Sequence, residues 1–394
     1  MSTDIYFNPW DAAFRANPYQ HYKAFIGKPP SPIEMFVPIV LVGSYVDALT
    51  ILRDPEHFSS DVRPMERKEV FGNAERLLFA DPPTHTRLRK LISRAFTPKR
   101  INDLTPRIRE FTARLLDKVA ERGRCELMAD LAVPLPVMVI AEMLGVPTAD
   151  YERFKHWSDR IIESDNTPPG MPLPASVVEA FKALTEFFVG EIARRRERPG
   201  TDLVSALVSA RDEADALTEE ELVAFVILLL LAGNETTTNL LGNGTLALLS
   251  NPEQYALLRE NRALLPRAIE EMLRYDPPAQ STVRLPRVDT VVSGVEIKAQ
   301  TPVFVVVAAA NRDPAQFSDP ERFVITREPN DHLSFGHGIH YCLGAALARL
   351  EAAVAFGALL ERFPRLRFAN PQPELTYKGS YFLRGLAELH LEIS

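Results

Sequence analysis

SFGHGIHYCLGAALARLEAA, residues 334–353, contains two histidines, three glycines and the second of the chain's two cysteines. From Leu343 onward the apolar spacing is helical, so Cys342 stands just ahead of a helix N-terminus. Unpaired N–H groups and the positive end of the helix dipole favour an anion there. An ionised sulfur beneath such donors is a soft metal ligand. Gly336, Gly338 and Gly344 permit backbone shapes closed to other residues and the close approach of something flat or bulky.

On this stretch alone three readings stand. One is a buried structural cysteine in a turn. Another is a zinc site drawing on His332, His337, His340 and Cys342, although the spacing fits no common structural zinc pattern. The third is an axial haem thiolate, for which one cysteine suffices.

The composition bounds the context. With 394 residues, 46% apolar and 25% charged, the chain has ordinary globular composition and enough length for a large core. A net charge of −7 argues against general nucleic-acid binding. Two distant cysteines, Cys125 and Cys342, suggest a reducing compartment rather than a disulfide framework. The start, MSTDIYFNPWDAAFRANPYQ, has no basic segment followed by an apolar core, so no signal peptide is expected. The most apolar run, FVILLLLAG at 225–233, is too short to span a bilayer. The expectation is a soluble, cytoplasmic monomer.

Along the chain the patterns are mostly helical. A strand is expected at FVPIVLVG, a hairpin and a further strand within 288–314, and a final strand in GLAELHLEIS. Residues 217–249 form the most apolar helical candidate, started by Thr218 and the acids that follow it. Helical patterns also cover 261–275 and 343–363. The fold class predicted is mainly α with small β-sheets. It forms a single domain over 1–394, with β-rich portions at about 30–60, 285–310 and 375–394 and no clean linker.

Three further features stand out. EEMLR places Glu271 and Arg274 three apart on one helix face. THTRLR places His85 and Arg89 four apart. In LLAGNETTTNLL, a glycine, an asparagine, an acid and three threonines interrupt an apolar helix. Either the helix ends at Gly233-Asn234, or it continues, distorted, over a buried site whose polar residues need partners.

Phe335-Gly336-x-Gly338-x-His340-x-Cys342-x-Gly344, together with these stretches in the same order, resembles the cytochrome P-450 superfamily of haem-thiolate monooxygenases. The resemblance spans roughly residues 45 to 390. It implies the P-450 fold, with haem b (iron protoporphyrin IX) between the long central helix and the helix after the cysteine loop. It implies Cys342 as the axial thiolate, with Phe335 and Gly344 beside the cofactor and His85, Arg89, Arg284 and His340 toward its propionates. Glu271 and Arg274, joined by Arg322 of DPERF, form a structural triad. Glu235 and Thr236 match the acid–alcohol pair that relays protons during dioxygen activation. Pocket candidates are Leu228, Leu231 and Ala232 of the long helix, Gln280, Thr282 and Val283 after the Glu-x-x-Arg helix, and Phe382 and Leu383 near the C-terminus.

The activity implied is insertion of one oxygen atom into an apolar small molecule, with electrons from a separate ferredoxin and its NAD(P)H-dependent reductase. Between Thr84 and Arg109 stand eight basic residues, Arg87, Arg89, Lys90, Arg94, Lys99, Arg100, Arg107 and Arg109, against one acid, Asp103. That cluster suits docking of an acidic ferredoxin. Phe71, Phe79 and the proline-rich 166–174 suggest an apolar guest, and the loops at about 61–80 and 160–180 would select it. Alternatives are a peroxygenase or a coupling or rearrangement catalyst of the same fold, and a haem sensor without turnover.

Overall fold

A computed structural model describes residues 5–62, 76–147, 150–162, 164, 167, 171–212, 215–378 and 382–393. Phe71 and much of the two loops expected to select the substrate lie outside the described residues. The chain divides into two compact units. One comprises Met1–Ser59, Arg109–Leu135 and Thr236–Ser394; the other comprises Ser60–Ile108 and Pro136–Glu235. Three of the crossings fall inside helices, Thr105–Arg122, Pro134–Leu144 and Glu219–Ser250. A boundary inside a helix has no Pro- or Gly-rich signature, which is why the composition offers no linker.

The first unit holds the largest of the described sheets. Its five-stranded sheet runs in the order Ser31–Glu34, Pro38–Val42, Val303–Val305, Thr282–Pro286 and Phe58–Ser59. Only the pairing of Pro38–Val42 with Val303–Val305 is parallel. Val40, Val42, Val303 and Val305 point into a core with Ile51, Leu52 and Phe58, and Leu333 at the start of the cysteine loop joins it. The expected hairpin is Thr290–Val292 with Val295–Ile297. The final strand is short, His390–Glu392, and pairs with Arg124–Glu126.

Helix Glu219–Ser250 starts with a reciprocal cap: the Glu221 amide donates to Oγ1 of Thr218 at 3.2 Å, and the Thr218 amide donates to Oε2 of Glu221 at 2.9 Å. The helix runs unbroken through Gly233-Asn234, so the continuous reading holds. It is long and apolar enough to cross a membrane, which the 225–233 run alone is not, but 67% of its most apolar window is buried inside the protein. Gly244 keeps the first unit tight around it. A Cβ there would stand 2.7 Å from Sδ of Met272 and 2.9 Å from Cζ of Phe356.

Among its described residues the second unit has helices and one short strand pair, Arg211–Asp212 with Asp215–Ala216. Helices Tyr151–Ile162 and Ala175–Glu197 pack through Phe154, Phe187 and Phe188, with ring centroids 4.9 to 5.7 Å apart. Helix Thr84–Ala95 follows a buried Ala80 and carries His85 and Leu88 inward.

Candidate active site

In the first unit the cysteine loop is built by backbone hydrogen bonds. The amide of Gly336 donates to the Leu333 carbonyl at 2.8 Å, and the amide of Cys342 donates to the Phe335 carbonyl at 2.9 Å. Gly338–His340 makes one 3₁₀ turn, capped by Nδ1 of His337, and helix Ala345–Arg362 follows from its cap at Gly344. Gly338 adopts φ +70°, and a Cβ there would stand 2.5 Å from the Leu52 carbonyl oxygen, so no other residue fits without a shift.

The loop is held from helix Leu265–Tyr275. Arg274 donates to Glu271 through Nε and Nη2, each at 2.8 Å, and both side chains are fully buried. Its remaining donors take the carbonyls of Asn311, Pro320 and Arg322, at 3.0, 2.9 and 3.0 Å. Asn311 accepts from the Leu333 amide and donates to Ser334, whose hydroxyl in turn donates to the Leu273 carbonyl. The buried pair thus reaches the cysteine loop through Asn311.

The expected third member of this group is corrected. Arg322 is exposed and contributes its carbonyl. The arginine that joins Glu271 is Arg327, whose Nε lies 3.1 Å from Oε2 and 3.2 Å from Oε1. Neither Arg327 nor Asn311 lies in a periodic segment, so no sequence pattern marks them. The other histidines have local partners: His332 meets Glu270 at 3.1 Å, and His337 meets Arg53 at 3.2 and 3.3 Å.

Arg284 is buried on the strand Thr282–Pro286 and donates through Nη1 to Oγ1 of Thr282 at 3.1 Å and to the Val283 carbonyl at 2.8 Å. Val283 is buried opposite Phe304, while Thr282 is half-buried. The Gln280 side chain turns toward the N-terminal helices. Tyr22 donates to its Oε1 at 3.2 Å, and its Nε2 donates to the Pro277 carbonyl at 2.7 Å. Its backbone receives the chain near the C-terminus, the Gln280 amide donating to the Phe382 carbonyl at 2.8 Å. Phe382 stacks on Phe304, and Leu383 bridges to Ala279. His340 is half-buried in its 3₁₀ turn, one turn ahead of Gly344.

In the second unit His85 is buried and Arg89 half-buried on helix Thr84–Ala95. Burial, then the neighbouring Arg89 charge, holds the His85 imidazole below its ordinary value against the opposing pull of Asp81. On the long helix Glu235 is buried, and Asn234 donates to Oγ of Ser158 at 3.3 Å. Leu228, Leu231 and Thr236 are half-buried and Ala232 is exposed, at spacings that share one face of the helix. Thr236 opens the helix's continuation into the first unit.

The residues fit a flat macrocycle bound through sulfur. A Cβ at Gly344 would meet only Sγ of Cys342 within 4 Å, at 4.0 Å, and one at Gly336 only the His340 carbonyl oxygen, at 3.8 Å. At both glycines the space a side chain would fill is therefore open.

A family model described as cytochrome P450 matches residues 173–385. The chain belongs to the cytochrome P450 family. It is 44% identical over 360 residues to cytochrome P450 CYP107DY1 of Priestia megaterium, covering 87% of each chain. It is 39% identical over 392 residues to the vitamin D(3) 25-hydroxylase of Pseudonocardia autotrophica, covering 96% of this chain and 94% of that one. The crystal structure of CYP109E1 from Bacillus megaterium with testosterone superposes with a TM-score of 0.89 at 38% identity, over 98% of this chain and 100% of that one. The chain is a P450 monooxygenase of mainly α fold, and the family implies haem ligated by a cysteine thiolate.

Proposed function

We propose that this P450 hydroxylates an apolar, ring-containing small molecule, taking two electrons from a separate ferredoxin and its NAD(P)H-dependent reductase in the cytoplasm. The observation that carries the reading is the open face of helix Glu219–Ser250, where Leu228, Leu231 and Ala232 lead to Thr236 beside the buried Glu235. An apolar face suits an apolar guest, and a buried acid beside a hydroxyl suits proton delivery. The vitamin D(3) hydroxylase and the testosterone complex among the relatives point to the same class of guest.

Bound haem supplies the activation of dioxygen. Cys342 would hold its iron. Arg284, His340, His85 and Arg89 would bind its propionates, and Phe335 and Gly344 would lie against it. Glu235 and Thr236 would move protons through carboxylate and hydroxyl. Leu228, Leu231, Ala232, Thr282, Val283, Phe382 and Leu383 would exclude water and orient the guest. Gln280, committed to Tyr22 and Pro277, would act on the guest only through the backbone it fixes. Arg94 and Arg100 would steer the ferredoxin.

The decisive experiment is a carbon monoxide difference spectrum of the reduced protein, followed by a spin-state screen of steroid-like and smaller apolar compounds. A thiolate-type Soret band, lost in Cys342→Ala, supports the reading; a colourless protein defeats it. Turnover with peroxide that fails with NAD(P)H and redox partners would transfer the assignment to a peroxygenase. Glu235→Gln and Thr236→Ala should each lower product formed per dioxygen consumed.

A further inference from the structure

Glu270 and Glu271 are adjacent on helix Leu265–Tyr275 but serve different segments. Glu271 takes Arg274 and Arg327, together with the Val324 amide and Asn330. Glu270 takes the two ends of the cysteine loop. Before the loop, Nε2 of His332 lies 3.1 Å from its Oε2, and Nδ1 of the same ring accepts from the Ser334 amide. After the loop, Arg349 forks onto it, with Nε 2.7 Å from Oε1 and Nη2 2.7 Å from Oε2.

These partners converge on one ring. The Arg349 guanidinium lies 4.4 Å from the centroid of Phe335, and its Nη1 donates to the Tyr341 hydroxyl at 3.3 Å. The His332 and Tyr341 rings stand 6.0 and 6.3 Å from the same ring. Phe335 is the residue whose carbonyl accepts from the Cys342 amide, at 2.9 Å. Burial alone would raise the Glu270 carboxyl, but the bonds from Arg349 and His332 outweigh it and bring it to about 2, so this anchor stays charged at neutral pH.

We propose that Glu270 is a positioning residue for the cysteine ligand: through His332 and Arg349 it fixes the Phe335 ring, and with it the carbonyl that orders the Cys342 backbone. The inference rests on the haem-thiolate reading of Cys342. A bidentate arginine fork is the arrangement best suited to the task, because it restricts direction as well as distance. Releasing it frees the ring and lets the sulfur sample more than one orientation toward the metal.

The test compares haem-loaded wild type with Glu270→Ala, Glu270→Gln and Arg349→Lys. Amide hydrogen exchange is followed over residues 333–345, and the midpoint reduction potential and carbon monoxide spectrum are recorded. Glu270→Ala should speed exchange over 333–345 about ten-fold, leave 320–330 unchanged because Glu271 holds it, and shift the potential. The Gln and Lys variants should move both readouts in the same direction by less, since each keeps part of the fork. Wild-type exchange over 333–345 with a wild-type potential in Glu270→Ala overturns the proposal. If that variant does not fold, wild-type values in both conservative variants overturn it. A wild type without a thiolate-type band would defeat the haem reading, and the exchange comparison would still decide whether Glu270 orders the loop.

Discussion

Nε of Arg327 lies 3.1 Å from Oε2 of Glu271, inside a group in which the Glu271 and Arg274 side chains are wholly buried and Arg327 is 7% exposed. Removing Arg327 takes one of two guanidiniums from a buried carboxylate and releases the carbonyls of Ser318, Asp319 and Arg322 that it also holds. Arg327→Ala should therefore cost about 2–4 kcal/mol and lower haem retention. Arg322→Ala should stay within about 0.5 kcal/mol of wild type, because its contribution is a backbone carbonyl. Urea midpoints and haem content of the two variants decide the matter; equal losses would contradict it.

Gly338 and Gly344 stand six residues apart, yet they should answer differently to the same added methyl. At Gly338 the backbone is left-handed, φ +70°, and the Leu52 carbonyl oxygen blocks the Cβ at 2.5 Å. Gly338→Ala should cost about 2 kcal/mol or more, through strain and the displaced turn. At Gly344, φ is −83° and the space is open except for the cysteine sulfur. Gly344→Ala should keep the stability of the haem-free chain within about 0.5 kcal/mol while weakening haem uptake. Thermal unfolding of the apoprotein and a haem titration separate the two effects.

What the sequence revealed and what it hid follow from range and period. The Glu271–Arg274 pair is local, held by a spacing that a helix enforces, and the cysteine loop is a short run of glycines ahead of a helix; both were legible. The third arginine was not, because Arg322 and Arg327 lie five apart in DPERFVITREP, an irregular segment with no period to show which one turns inward. Glu270 and Arg349 meet across 79 positions, a distance no local pattern spans. The continuity of the long helix through Gly233-Asn234 was open on propensity alone. It was decided by packing, which buries Asn234, Glu235, Thr237 and Thr238 at 1 to 5% exposure.

The basic cluster between Thr84 and Arg109 is not uniformly available to a partner. Arg87 pairs with Glu221, which is 8% exposed, and lies 3.4 Å from Asp215; Arg107 forks onto Glu142 at 2.9 and 3.1 Å. Arg100 donates to the Thr201 carbonyl, a bond that leaves its charge uncancelled. Arg87→Glu should therefore destabilise the protein by about 1–2 kcal/mol, leaving the salt dependence of electron transfer unchanged. Reversal at Arg94 and Arg100 should slow transfer most at low ionic strength. Stopped-flow reduction across a salt series, beside melting temperatures, distinguishes them; a flattened salt dependence in Arg87→Glu would refute this division.

Glu351 lies on helix Ala345–Arg362 at 1% exposure, and neither carboxyl oxygen has a hydrogen-bond partner among the described residues. Burial raises this carboxyl well above its ordinary value of 4.5, so the folded chain holds it protonated while the unfolded chain ionises it. Below the unfolded value there is no penalty. Above it, each pH unit disfavours the folded state by about 1.4 kcal/mol until the folded group itself ionises. Glutamine has nearly the same shape and no such dependence. Glu351→Gln should match or fall slightly below wild type at acidic pH, where its extra amide donor is buried without gain. As pH rises toward neutrality it should become the more stable protein, the difference growing by about 1–3 kcal/mol. Urea midpoints measured from pH 4.5 to pH 7.5 test this, 4.5 being that ordinary carboxyl value. Parallel curves for the two proteins would mean that the carboxyl is ionised in the fold and has a partner.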